Sequence, residues 1–159
     1  AGHPRGGRRF ADGLTKSAAR DIFYGGSLFF LLVFVGLVAH SHYYIRTSST
    51  DESKLTPSVV AGKRIWERHA CVNCHTILGE GAYFAPELGN VWVRYGGRED
   101  PDSAREALKA WMQAMPSGVE GRRQMPQFNL TDQELDQLID FLQWTSTIKT
   151  YGWPPNPAG

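Results

Sequence analysis

Cysteine is scarce in this sequence. Only two cysteines occur among 159 residues, and both lie between positions 71 and 74, which excludes a small scaffold held together by many disulfides. A strong charge bias is also absent, because 17 Lys and Arg are balanced by 16 Asp and Glu, and we therefore expect no nucleic-acid partner. With 42% hydrophobic and 21% charged residues, the composition excludes a disordered chain. The length suits one domain with one additional element.

Charged residues are missing from one long stretch. Residues 22–45 contain no Asp, Glu, Lys or Arg, and a helix of this length extends roughly 36 Å, enough to cross a hydrocarbon core of about 30 Å. A buried core helix and the apolar region of a signal peptide are the alternatives, although both are usually shorter. The preceding arm, residues 1–21, is rich in basic residues, which predicts a cytoplasmic N-terminus and a head outside the membrane: Arg5, Arg8, Arg9, Lys16 and Arg20.

The two cysteines belong to the motif Cys71-Val72-Asn73-Cys74-His75. CxxCH is typical of covalent c-type haem attachment, because two thiols on one turn can each add to a vinyl group while the adjacent histidine binds the iron. A zinc site would need a fourth ligand, and only His69 stands nearby. A thioredoxin-like site would need a βαβ context, and a simple disulfide would leave the histidine unexplained. The sequence therefore predicts one covalent haem c, with His75 as proximal ligand.

The second axial ligand of a cytochrome c haem is usually methionine or histidine. Met112 and Met115 fall on the apolar positions of a helical pattern, which predicts packing. Met125 instead stands between helical patterns and directly before Pro126, so a loop can present it to iron. We predict Met125 as the distal ligand. The neighbouring Arg122 and Arg123 could neutralise haem propionates or hold a partner.

The rest of the sequence predicts a mainly α fold, with one N-terminal transmembrane helix followed by a class I cytochrome c domain. Thr56 and Pro57 begin the first helix of the head, Asp102 or Ser103 the second, and a capping box at Thr131 the third. Gly62 and Trp66 are expected to face the Leu138 and Leu142 side of the last helix. The predicted segments are a cytoplasmic arm (1–21), an anchor (22–45), a linker (46–55), the cytochrome domain (56–150) and a proline-rich tail (151–159).

Three further stretches carry a resemblance to a known family. They are the loop TILGEGAYFAPELGNV at 76–91, the segment GRRQMPQFNLT at 121–131, and the C-terminal TYGWPPNPAG. Together with CxxCH and the span's IFYGGSLFFLLVF, they resemble the small cytochrome c subunit (NorC type) of bacterial cytochrome c-dependent nitric oxide reductase. The likeness runs from about residue 15 to residue 159.

The resemblance implies a membrane-anchored electron-entry subunit in the bacterial inner membrane, single-pass, with a periplasmic haem domain. It implies a donor, either a soluble periplasmic cytochrome c or a small copper protein. It also implies a large multi-helix catalytic partner, whose haem b and non-haem iron reduce NO to N2O. A Ca2+ ion shared with that partner would take main-chain carbonyls of Gly81 and Tyr83, although Gly79 and Gly81 could simply form a tight turn.

An iron with two axial protein ligands has no open position for substrate, so we expect no catalytic site on this chain. Glu80 and Glu87 are interpreted as solvated loop carboxylates. Two other functions stay open on sequence alone. One is a membrane-anchored cytochrome c that serves another respiratory complex, such as a terminal oxidase; the other is a tethered haem sensor with a labile distal ligand.

Overall fold

The computed structural model describes residue 13 and residues 15–154. The chain divides into two units, residues 1–44 and residues 45–159. Most of the basic arm, including Arg5, Arg8 and Arg9, and the last five residues of the proline-rich tail lie outside the described residues.

The described part of the first unit consists mainly of one long helix, α1 (Lys16–Tyr44), and the chain then forms a π-helical turn at Ile45–Ser49. None of the residues of α1 is buried. The stretch Lys16–Ser49 has a mean hydropathy of 2.3 and is long and apolar enough to cross a membrane. The predicted N-terminal transmembrane helix is therefore present as a candidate span, and it begins six positions before the apolar run because Lys16 and Arg20 also adopt helical structure. None of this window is buried, whereas the core helix of a soluble protein is mostly buried; the apolar region of a signal peptide passes the same test of length and composition.

The head is helical, as predicted, and two of its helices begin where the sequence indicates. α2 spans Pro57–Arg68, and its cap Thr56 accepts a hydrogen bond from the Val59 amide at 3.3 Å. α5 spans Asp132–Thr145 and begins with a reciprocal capping box between Thr131 and Glu134. These caps use only residues three positions apart, so the local sequence is sufficient to specify them.

The remaining helices are less well predicted. α4 spans Pro101–Gln113 with Asp100 as its cap, so the predicted start at Asp102 or Ser103 is one or two residues late. A four-residue helix, α3 (Val91–Arg94), was not predicted at all. Two of its residues, Val91 and Trp92, are buried in the core together with Leu108 and Ile139.

Helices α2 and α5 cross at Gly62, which is buried between them. A Cβ atom at this position would overlap the main-chain carbonyl of Gln137 and would lie 2.8 Å from the Cβ atom of Phe141. The absence of a side chain is therefore what allows the close approach of the two helices. Trp66, one turn further along α2, packs against Phe141 with ring centroids 6.3 Å apart. The predicted contact between the two helices is confirmed, and the residues of α5 next to Gly62 and Trp66 are Gln137 and Phe141, which neighbour the predicted Leu138 and Leu142.

We expect Gly62→Ala to destabilise the head by about 3 kcal/mol, the upper end of overpacking costs, because helix backbones give way less easily than side chains. Thermal unfolding of the full chain in detergent, followed by near-UV circular dichroism, measures this loss. Gly26→Ala is the matched control, since a Cβ atom there meets nothing within 4 Å. Equal unfolding temperatures for both variants would contradict the packing argument.

An ionic cluster attaches α4 to α5, and one of its carboxylates also binds α2. Arg105 binds Asp140 at 2.6 Å, and Lys109 binds Asp136 at 2.8 Å. The same Asp140 accepts a hydrogen bond from Ser58 of α2 at 2.5 Å. The partners of Asp136 hold the pKa of that carboxyl below its usual range, chiefly the hydrogen bond from Lys109 and then that from Arg105. The cluster holds α4 on α5, and thereby fixes both ends of the loop that carries Met125.

Candidate haem site

The CxxCH motif lies directly after α2. The chain leaves the helix through Ala70, whose φ of 51° is left-handed and unusual for a residue with a side chain, and enters a 3-10 turn at Cys71–Asn73. The amides of Cys74 and His75 donate to the Cys71 carbonyl at 3.1 and 2.9 Å. Both cysteines are half-buried, and neither is in a disulfide. The local backbone therefore places Cys71, Cys74 and His75 on one tight turn.

The His75 side chain is buried, and its orientation is set by one hydrogen bond. Its Nδ1 lies 2.8 Å from the carbonyl oxygen of Pro86. Burial lowers the pKa of His75 and the charge of Arg94 lowers it further, while the bond to Pro86 opposes them only in part. The imidazole is therefore neutral near pH 7. Because a carbonyl can only accept, Nδ1 carries the proton and Nε2 keeps the lone pair that a metal ligand needs.

A two-residue hairpin follows the histidine. Strand β1 (Thr76–Ile77) pairs antiparallel with β2 (Glu80–Gly81), and Leu78 and Gly79 form the turn with φ values of 55° and 84°. Positive φ at both turn residues is the type I′ geometry. The predicted tight turn at Gly79 is thus present. Gly81 has a different role, because a Cβ atom there would overlap the His75 carbonyl.

Met125 lies half-buried in the long loop between α4 and α5. Two contacts attach this loop to the segments around the motif, one on each side of Met125. Arg123 donates to the Phe84 carbonyl at 2.5 Å, and its guanidinium lies 4.5 Å from the centre of the Phe84 ring. On the other side, the Phe128 ring packs edge-on against His69 at 5.2 Å. The fold therefore brings the predicted distal residue close to the segment that carries the proximal one.

A small cavity adjoins Met125. Its lining includes Met112, Phe128, Leu130 and Leu135. Met112 is half-buried and packs against the core, as its helical position predicts. The loop itself is fixed by Gln127, whose side-chain amide donates to the carbonyls of Gln113 and Met115 at 3.0 Å each. Those bonds satisfy carbonyls at the C-terminus of α4.

The competing zinc interpretation finds no support. Within residues 13 and 15–154, no three His, Cys, Asp or Glu side chains are grouped so that they could hold a metal ion. Two cysteines and a histidine on one turn instead fit the donor set of a haem c.

Sequence reasoning missed one residue of this site, left the role of a second open and misinterpreted a third. The Pro86 carbonyl, which orients His75, carries no side-chain signal in the sequence. Arg123, for which two roles were open, contacts Phe84. The prediction that Glu87 is solvated was wrong, because Glu87 is only 3% exposed. The two residues predicted to bind Ca2+, Gly81 and Tyr83, are both exposed on the loop at 76–91.

A helical head, a CxxCH turn with a neutral histidine and a methionine-bearing loop fixed nearby define the class of monohaem c-type cytochromes. The cytochrome c family profile matches residues 59–146, which confirms this class and implies haem c as the cofactor. Comparison with curated proteins is more specific. The chain is 66% identical over 146 residues to the NorC subunit of the nitric oxide reductase of Paracoccus denitrificans, covering 92% of this chain and 97% of that protein.

Two further relatives carry the same name. The NorC subunit of Halomonas halodenitrificans is 64% identical, with 94% of this chain and 99% of the relative covered. That of Stutzerimonas stutzeri is 54% identical, with 91% and 97% covered. The chain belongs to the NorC family of nitric oxide reductase subunits, as the resemblance predicted, and is a membrane-anchored electron-transfer subunit of that reductase.

Proposed function

We propose that Cys71, Cys74, His75 and Met125 hold one haem c through which this chain relays electrons from a soluble periplasmic donor to the haem b of a catalytic subunit that reduces NO to N2O. The observation that carries the proposal is the orientation of His75: it is buried, its Nδ1–H donates to the Pro86 carbonyl, and it shares one tight turn with Cys71 and Cys74. The chain's own residues thus provide each donor that a haem c needs.

Bound haem supplies a one-electron Fe(III)/Fe(II) couple. Cys71 and Cys74 would hold the group through thioethers, each thiol adding its S–H across a vinyl C=C bond with no net oxidation. His75 would offer its Nε2 lone pair to the iron, and Met125 would offer its sulfur. With both protein ligands bound, the iron would have no position left for substrate, which supports relay rather than catalysis on this chain.

The head receives its electron from outside the membrane and passes it to the partner. The basic arm at 1–21 supports a cytoplasmic N-terminus, because basic residues are retained on that side. With one span, the head then lies in the periplasm, where a soluble cytochrome c or a small copper protein can reach it. A covalent cofactor suits this position because it cannot diffuse away.

We include in the proposal a Ca2+ ion shared with the catalytic subunit and bound by the carbonyls of Gly81 and Tyr83. What supports it is the position of both residues on an exposed loop that starts at the haem-binding motif. Main-chain oxygens suit a hard cation.

Affinity purification of the full chain from detergent-solubilised membranes tests the function. We expect one haem c to co-purify with b-type haem and non-haem iron but without copper, together with NO consumption driven by a reduced periplasmic cytochrome or copper protein. Copper in place of non-haem iron would instead assign the chain to a terminal oxidase. A native iron that readily binds exogenous gas would support a sensor.

A further inference from the structure

Glu87 is one of the most deeply buried charged residues of the described chain, and it lies next to the residue that orients His75. Its carboxylate accepts three main-chain hydrogen bonds. Oε1 accepts from the amides of Leu78 and Gly89, each at 2.8 Å, and Oε2 accepts from the amide of Gly79 at 3.3 Å. The Glu87 main-chain carbonyl in turn accepts from Arg94 at 2.9 Å. Both the side chain and the backbone of this residue are therefore held in place.

These bonds join the two segments on which the orientation of His75 depends. Leu78 and Gly79 form the hairpin turn that follows the histidine, and Gly89 belongs to the segment that returns past it. Two main-chain hydrogen bonds join the same segments. The Ala85 amide donates to the Cys74 carbonyl and the Leu88 amide to the Thr76 carbonyl, both at 2.8 Å. The Pro86 carbonyl carbon is bonded directly to the Glu87 nitrogen. A displacement of Glu87 would therefore move the oxygen that binds His75 Nδ1.

The carboxylate is ionised at neutral pH. Burial alone would raise the pKa of Glu87, but the surrounding hydrogen-bond donors outweigh it and keep that pKa below its ordinary value. The hydroxyl of Thr76 is fully buried beside the carboxylate and favours the charged form of Glu87. The geometry between the two side chains falls short of a hydrogen bond, and the hydroxyl has no other partner among the described residues. The site thus contains a fixed negative charge with little exposure to solvent.

We propose that Glu87 is a positioning residue for the proximal ligand: it holds the Pro86 carbonyl on His75 Nδ1 and, as a buried negative charge, lowers the reduction potential of the haem. Both effects lower the reduction potential. A firm Nδ1–H bond makes the imidazole a stronger donor, which favours ferric iron. A nearby negative charge also stabilises the more positive oxidation state, and it acts strongly because the interior has a low dielectric constant. The inference rests on the haem ligation proposed above.

The test compares Glu87→Gln with Glu80→Gln in the full chain in detergent. Glutamine keeps the shape of the side chain, but it removes the charge and turns an NH2 group towards a main-chain donor. Glu80 is the matched control, since it lies exposed in the same hairpin and its substitution removes the same charge. The readouts are a spectroscopic redox titration of the haem c band and the NMR shifts of the haem methyl groups, which report the plane of the axial imidazole.

At a fixed ambient potential, we expect Glu87→Gln to raise the ferrous-to-ferric ratio roughly tenfold, equivalent to about 59 mV for a one-electron couple. The haem methyl shifts should change as well. Glu80→Gln should change the ratio less than about twofold and leave the methyl shifts in place, because solvent screens an exposed charge. Equal potentials for the two variants would overturn the inference.

Amide hydrogen exchange in the unsubstituted chain provides a second test, which does not depend on a variant that folds. The Leu78 and Gly89 amides should exchange slowly, because a buried carboxylate holds them. Fast exchange at both would overturn the inference. If the chain carries no covalent haem, the proposed function is wrong. If it carries haem, but Glu87→Gln changes neither the reduction potential nor the haem methyl shifts, only the role of Glu87 is wrong.

Discussion

A chain in which Cys71 and Cys74 are both replaced by serine is expected to carry no haem after denaturation, and its head is expected not to reach the native fold. The two thiols are the only groups in the sequence able to form thioethers with a porphyrin. The head is also small, and a domain of about this size buries too little apolar surface to tolerate the loss of a large apolar cofactor. Core side chains such as Trp66 and Leu142 would then pack only against protein.

Haem staining of the denatured polypeptide and the pyridine haemochrome spectrum measure this directly. Asn73→Ala is the matched control, because Asn73 is exposed on the same turn between the two cysteines and carries no thiol. We expect this control to retain full haem content. A coloured double-serine polypeptide after denaturation would show that the attachment site is not at these residues.

The second large effect is expected at Met125. Met125→Ala should abolish the methionine-to-iron charge-transfer band of the oxidised protein near neutral pH. It should also lower the ferrous-to-ferric ratio on the order of a hundredfold, since axial ligands tune haem potentials across about 0.8 V. Methionine favours ferrous iron, so its removal shifts the couple towards the ferric state. The variant should also gain affinity for small exogenous ligands.

Met112→Leu is the control, because Met112 lines the same cavity but belongs to α4 and packs against the core. Leucine fills a similar volume, so the fold and the charge-transfer band should both persist. If Met125→Ala keeps the band, or if Met112→Leu loses it, the distal assignment is wrong. The measurement is an absorption spectrum of the oxidised full chain in detergent.

Part of the fold follows from short stretches of sequence. Thr56 and Thr131 cap their helices by bonding to amides three residues away, and this local chemistry was predicted. The start of α4 was placed too late although Asp100-Pro101 is a cap followed by an N1 proline, a signal that the sequence contained. Helix α3 was missed because four residues carry no periodicity.

The residues of the haem site also divide into those that the sequence predicts and those that only the fold brings together. The two cysteines and the histidine are neighbours in sequence, so the motif alone predicts their common turn. Met125 could be selected by its position before a proline, but its attachment beside the motif depends on Arg123 reaching Phe84, 39 residues earlier in the chain. The orientation of His75 depends on Pro86, whose contribution is a main-chain carbonyl that any residue could provide.

The sequence by itself determined the class of protein. The features that indicate the class are a candidate anchor helix, one CxxCH motif and the stretches that resemble the family, and each of them depends on residues close together along the chain. Tertiary structure alone decided the burial of Glu87 and the contacts that surround His75 and Met125. The physical reason is that a carboxylate is buried only where several donors converge, and here those donors come from two segments whose meeting depends on the folded hairpin.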